Sequence, residues 1–234
     1  MRTRYILILL LFVVTGPTQA LEPDWAPYTK VLKTHVKDGS VNYTALRGDQ
    51  GFKNFMVALR KFDRSKLATK DEKKAFYINL YNALTLELII NNKPVTSIKK
   101  IGRPWSKRVY TQGGQTLTLD NIEHDILRPM GDFRIHFAIN CASISCPTLL
   151  SEAYSADTLN TQLSRQMASF LADTNKGVKV VGGKARVSKI FDWFSEDFGG
   201  KTGVLRLLQS RHTEGADIEG VSGYLKYNWN LNGR

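Results

Sequence analysis

Cysteine is nearly absent from this chain: Cys141 and Cys146 are the only two among 234 residues. Four residues separate them, so the chain lacks the Cys-x-x-Cys of a thioredoxin-type centre and the paired spacings of a zinc finger. No His-x₃-His pair takes their place, and no metal or other cofactor is assigned. Acidic residues are the minority, 21 against 33 Lys and Arg, for a formal charge of +12. That sign favours anionic partners through long-range steering. The basic residues are nevertheless scattered in short pairs such as Lys73-Lys74 and Lys99-Lys100. Without a dense basic arm or a recognition motif, nucleic acid is not expected as a partner. Phosphate-binding glycine loops, nucleophile-elbow serines, internal repeats and low-complexity linkers are missing as well.

Long hydrophobic runs are also lacking. Residues 5–14 form the longest, well short of the roughly 20 apolar residues of a spanning helix. Arg2 and Arg4 precede this run, Gly16-Pro17 break it, and Thr18-Gln19-Ala20 ends in a small residue. This is the pattern of a signal peptide over residues 1–20, and no cysteine near residue 20 is available for lipidation. A periplasmic or secreted protein is expected, with no stable membrane span after cleavage. Loss of Arg2 and Arg4 lowers the charge from +12 to +10. Residues 21–234 are then long enough for one domain with a hydrophobic core.

Apolar spacing predicts helices over 25–35 and around Phe52, Phe55, Met56 and Leu59. Thr69 and Glu72 have capping-box spacing and open a helix running to about Ile90, before Pro94. Residues 76–84 are apolar nearly all round, which predicts a central buried helix. Asn79 and Asn82 share one face of it and must find partners there, either fastening a loop or lining a site. Hairpins are expected around Gly113-Gly114 and Gly182-Gly183. A short helix is predicted over 120–128, a buried strand over 133–139, a long amphipathic helix over 156–171 and a short one over 202–209. The irregular alternation predicts an α+β fold. Its parts are a central buried helix, a small mostly antiparallel sheet with hairpins, and surrounding helices.

The chemistry concentrates in RIHFAINCASISCP, residues 134–147. A cysteine at a turn after a strand meets free backbone amides, which favour a thiolate and can receive an oxyanion. One reading is therefore a thiol-dependent active site, a cysteine hydrolase or acyl transferase. Cys141 is its nucleophile, His136 or His124 its base, and Glu123, Asn79 or Asn82 the orienting group. Arg134, with Asn79 and Asn82, is a candidate for binding substrate. The competing reading is a non-catalytic envelope binding or structural module whose loop is pinned by a Cys141–Cys146 disulfide, which export permits. The partner in either case is an unidentified substrate or envelope component, with an anionic one favoured by the net charge.

The segments AFYINLYNALTLELI (75–89), LTLDNIEHDILR (117–128), RIHFAINCASISCPTL (134–149) and VSKIFDWFSEDF (187–198) together resemble the family called domain of unknown function 547, DUF547. The resemblance covers residues 25 to 210, and the closing YNWNLN is similar to the family's C-terminal end. Its members include exported bacterial proteins, and no biochemical activity is established for it. Its motif elements fall on Asn79, Asn82, Glu123, His124, Arg134, His136, Cys141, Ser143, Cys146 and Pro147. The resemblance implies that these polar residues form one site, without specifying a reaction.

Overall fold

A computed structural model describes residues 22–92, 94–112 and 114–234. The signal-peptide expectation for residues 1–20 lies outside the described residues. The first half is helical: α1 (Ala26–His35), α2 (Tyr43–Gly48), α3 (Gln50–Lys61) and α4 (Lys70–Asn91), with a short hairpin of β1 (Val36–Lys37) and β2 (Ser40–Val41) after α1. A second hairpin, β3 (Tyr110–Gln112) and β4 (Gln115–Leu117), precedes α5 (Leu159–Ala172). The chain continues through β5 (Val178–Val181), β6 (Lys184–Val187), α6 (Ile190–Trp193), α7 (Gly200–Arg211) and β7 (Gly220–Tyr224). β5 pairs antiparallel with β6, and β7 joins β6 in parallel. The fold is α+β, with small sheets and a long central helix.

Thr69 caps α4 with the expected capping box: its Oγ1 accepts from Glu72 N at 3.1 Å, and Glu72 Oε2 accepts from Thr69 N at 2.9 Å. Phe76, Ile78, Leu80, Ala83 and Leu84 are all fully buried. A helix apolar on every side needs neighbours on every side, and α4 is the axis of the larger hydrophobic cluster. A smaller cluster gathers Phe137, Phe170, Phe191, Phe198 and Leu208.

The strand expected over 133–139 is not one. Phe133–Phe137 is a 3₁₀ turn capped by Asp132, whose side chain accepts from Arg134 N at 3.2 Å. Ile135 points into the larger cluster and Phe137 into the smaller one. A tight turn can bury successive residues in two cores at once, and a short apolar run does not distinguish it from a buried strand. The alternation of faces that a strand would impose on His136 and the residues after it therefore does not apply.

The C-terminal tail straps this region down. Ile144 N donates to Asn230 O at 2.9 Å, Leu231 N to Thr96 O at 2.9 Å and Asn232 N to Ala142 O at 3.2 Å. Gly233 lies directly against β2, where a Cβ would stand 1.9 Å from Val41 O. We expect Gly233→Ala to peel off the last residues and cost about 1–2 kcal/mol, the scale of a few lost backbone hydrogen bonds. Urea denaturation would measure it, and an unchanged midpoint would contradict this role for the strap.

Candidate functional site

Asn140 sets the shape of the loop that follows the 3₁₀ turn. Its Nδ2 donates to Pro147 O at 2.7 Å and its Oδ1 accepts from Ala142 N at 2.9 Å. Ala142 adopts a left-handed φ of 59°, and Cys146 N donates to Ser143 O at 3.1 Å. The loop thus folds back on itself and brings its two ends together. Cys141 and Cys146 are joined in a disulfide, their Cα atoms 6.1 Å apart.

This overturns the nucleophile reading. Both sulfurs are committed to the S–S bond, so Cys141 has no thiolate with which to attack a carbonyl. His136 and His124 accordingly lose the role of base to a thiol. Crosslinking so short a loop removes little unfolded-state entropy, roughly 2 kcal/mol by the chain-entropy estimate. We expect the Cys141→Ser, Cys146→Ser double variant to lose about that much stability in urea denaturation. A variant as stable as the parent would show that the bond constrains nothing.

Beside the disulfide opens a pocket of about 170 Å³. It is lined by Tyr81 of α4, Trp105, Ile139 and the disulfide together with Ile190, Phe194, Tyr227 and Trp229. Trp193, 46 % exposed, stands at its rim. The tail positions Tyr227 and Trp229: Tyr227 Oη lies 3.3 Å from Cys141 Sγ, and the rings of Tyr227 and Trp229 are 4.5 Å apart. Trp193 packs on both, at 4.8 and 5.6 Å.

The polar groups converge from three segments. Glu123 and His124 sit in a π-helical turn, Asn121–Leu127, whose wider winding leaves Glu123 buried and His124 exposed. Such turns recur at functional sites. The ring of His136, 1 % exposed, stacks on Phe194 at 4.1 Å. Its Nε2 lies 2.7 Å from Asp197 Oδ2. Arg128 grips the same carboxylate twice, from Nε at 2.7 Å and from Nη2 at 2.9 Å. Arg128 Nη1 also donates to His124 Nδ1 at 2.9 Å.

A carboxylate accepts and does not donate, so the proton of His136 is on Nε2 and its Nδ1 carries a lone pair. That Nδ1 is buried with no partner among the described residues. The nearest carboxylate oxygen, Glu123 Oε1, is 4.0 Å away, beyond hydrogen-bond range. Burial pushes the His136 imidazole down to about 4 despite Asp197, so it is neutral at physiological pH. Burial pushes the Glu123 carboxyl up to about 7, with the Asp120 charge adding to it and a hydrogen bond from Tyr81 opposing it. The hydrogen bonds of Arg128 hold the Asp197 carboxyl below the ordinary range, with His136 contributing and partial burial opposing. The pocket floor therefore presents an unpaired acceptor beside an acid that exchanges its proton near neutrality.

The other predicted residues are placed differently. Asn82 Nδ2 donates to Ala138 O at 3.0 Å while its Oδ1 accepts from Asn140 N at 2.8 Å. Asn79 clamps Tyr154 in the same way, through its O at 2.7 Å and its N at 2.9 Å. Both amides are spent on backbone. Arg134 lies outside the pocket lining, paired with Asp132 and donating to Asn160 Oδ1 at 2.7 Å. Asp132 is held below the ordinary carboxylate range by Arg134 and Lys74, against the effect of its burial.

Sequence reasoning overlooked Asp197, Arg128, Tyr81 and the aromatic wall. An acid set among aromatics in FDWFSEDF and the aromatic-rich YNWNLN were the available signals. Among the described residues, no helix is long and apolar enough to cross a membrane, and no three His, Cys, Asp or Glu side chains converge as a metal site requires.

Fold and site thus define an α+β protein with a disulfide-bordered, aromatic-walled pocket. Residues 65–171 match the family model described as "Protein of unknown function, DUF547". Over that segment, a little under half of the chain, the protein is similar to this family. No curated protein and no solved structure matches the chain. The matched segment is narrower than the resemblance read from motifs. It contains Tyr81, Glu123, His136 and the disulfide, whereas Asp197, Trp193, Tyr227 and Trp229 lie beyond it.

Proposed function

We propose that this protein is an exported, non-catalytic binding module of the cell envelope that holds a small molecule in the disulfide-bordered pocket. The observation that carries the reading is the unpaired, buried Nδ1 of His136 at the pocket wall. An orphaned buried acceptor costs about 1–3 kcal/mol, a cost that an incoming hydrogen-bond donor removes. A concave apolar wall with a few convergent polar groups is the usual form of a ligand site. The disulfide supports the choice of binding over thiol chemistry. It also supports an oxidising compartment, in keeping with the basic and then apolar N-terminal sequence.

A small-molecule screen read by intrinsic tryptophan fluorescence tests the proposal, because Trp105, Trp193 and Trp229 all line the pocket. Saturable hits are expected, and Ile139→Phe, which fills the pocket, should abolish them while the protein stays folded. Hits that survive Ile139→Phe, or a screen with no saturable hit, would reject it.

A further inference from the structure

We infer that the occupant of this pocket is a protonated amine; the inference rests on the pocket being a ligand site and adds the chemistry of what enters. The lining supplies acceptors without a matching cation. Asp120 and Glu123 contribute carboxyl groups, His136 contributes its lone pair and His124 a second imidazole, while among the described residues no lysine or arginine lines the cavity. The nearest guanidinium, on Arg128, is committed to Asp197 and to His124. A ligand carboxylate would find no lysine or arginine among the described lining residues, would face Asp120 and Glu123, and could not satisfy His136 Nδ1, so the anionic partner suggested by the net charge does not suit this cavity.

An alcohol has one hydrogen to donate. An alkylammonium has up to three, enough to reach both His136 Nδ1 and Glu123, and its charge pairs with the carboxylate. The walls favour the same chemistry. Aromatic faces attract an ammonium through their quadrupole, and indole does so best. Trp229 already demonstrates this, with Lys99 Nζ 5.0 Å from its ring centroid. Trp193 and Tyr227, packed on Trp229, line the cavity with it. A pocket of about 170 Å³ suits a compact amine rather than a long polyamine or a peptide.

Proton balance gives the test. The charged and titratable groups facing Glu123 are Tyr81 from α4, Asp120 and Arg128 from its own helical turn and its flanks, Asp197 from the aromatic segment, Tyr227 from the C-terminal tail, and His136 across the 4.0 Å gap. An ammonium arriving among them stabilises the carboxylate, so Glu123 releases its proton to solvent as the amine binds.

The experiment is isothermal titration calorimetry on the full chain with three probes of one shape: cyclohexylammonium, cyclohexanol and cyclohexanecarboxylate. Running it in two buffers of different ionisation enthalpy counts the protons. The amine should bind at least about tenfold more tightly than the alcohol, and the carboxylate should not bind. At pH 6 amine binding should release about one proton, and at pH 8.5 almost none, because Glu123 is then already ionised. Glu123→Gln should remove both the proton release and the amine preference. Trp193→Ala, at the exposed rim, should weaken the amine about threefold and leave the proton release intact. Equal affinity for alcohol and amine, amine binding at pH 6 without proton release, or no amine binding would each overturn the inference. If the alcohol alone binds and Ile139→Phe blocks it, the binding-module reading stands and only the amine fails.

Discussion

Replacing Asn82 with Ala should destabilise the protein by roughly 3–4 kcal/mol, far more than the loss of its few side-chain atoms would suggest. The reason is the number of groups one amide satisfies. Asn82 accepts from Asn140 N and donates to Ala138 O in a fully enclosed setting. Alanine would leave both backbone groups buried and unpaired, at about 1–3 kcal/mol each. The damage should not stop at stability. Asn140 shapes the disulfide loop through Pro147 and Ala142, so the variant should also lose ligand binding at the pocket. Urea denaturation measures the first effect, and the fluorescence titration of the parent's ligands measures the second. A loss under about 1 kcal/mol would mean that water or a neighbour takes over the amide's role. Asn79 makes the parallel clamp on Tyr154, which lies outside the pocket lining. Asn79→Ala should therefore cost similar stability while disturbing binding less.

Replacing Glu123 with Gln should stabilise the protein at alkaline pH, by on the order of 3 kcal/mol above pH 8. Burial pushes its carboxyl up to about 7 in the folded state, against 4.5 for an unperturbed glutamate. Between those values the folded state binds more protons than the unfolded one, so the parent loses stability as pH rises through that window. Glutamine mimics the neutral acid, can still accept from Tyr81, and does not ionise. The gap between variant and parent should open from about pH 4.5 and level off above pH 7. His136 contributes the opposite slope. Burial pushes its imidazole down to about 4 when folded, against 6.5 for an unperturbed histidine. The unfolded state therefore binds more protons between those values, and stability from this source falls as pH drops from 6.5 to 4. In the parent the two slopes largely cancel between about pH 4.5 and 6.5. The variant should lose that plateau and become steadily less stable on acidification from pH 6.5. Urea midpoints from pH 4 to 9 would display both shapes, and parallel curves for the two proteins would refute the buried-acid assignment of Glu123.

Ligand binding and pH stability are thus two consequences of one arrangement. The pocket keeps Glu123 largely dehydrated and short of positive charge, which weakens the fold at high pH and prepares the site for a cation. Stability–function opposition of this kind is common at sites preorganised for a ligand.

Much of the framework could be read locally. The cap at Thr69, the all-round apolar helix over 76–84, the hairpins at Gly114 and Gly182-Gly183, and the pairing needs of Asn79 and Asn82 follow from propensity, periodicity and the cost of unpaired amides. The α+β class followed from the irregular alternation of these elements. Each depends on neighbours in sequence, so a linear reading suffices. The segment 134–147 was likewise marked out by composition alone, since it holds both cysteines and a histidine.

Only the tertiary structure decided what that segment does. Whether Cys141 is a nucleophile or one end of a crosslink depends on how Asn140 turns the chain, and the disulfide answered against the nucleophile. Whether His136 faces a sulfur or an acid depends on a 3₁₀ turn that looks like a strand in sequence. Its proton is placed by Asp197, 61 residues away, and its unpaired nitrogen faces Glu123 from a separate helical turn. Two members of the aromatic wall, Tyr227 and Trp229, arrive from a tail held down by backbone hydrogen bonds that leave no pattern in side-chain chemistry. Local rules set the elements because their energies are local. The pocket's charge and proton states arise from burial and long-range contacts, which exist only once the chain has closed around them.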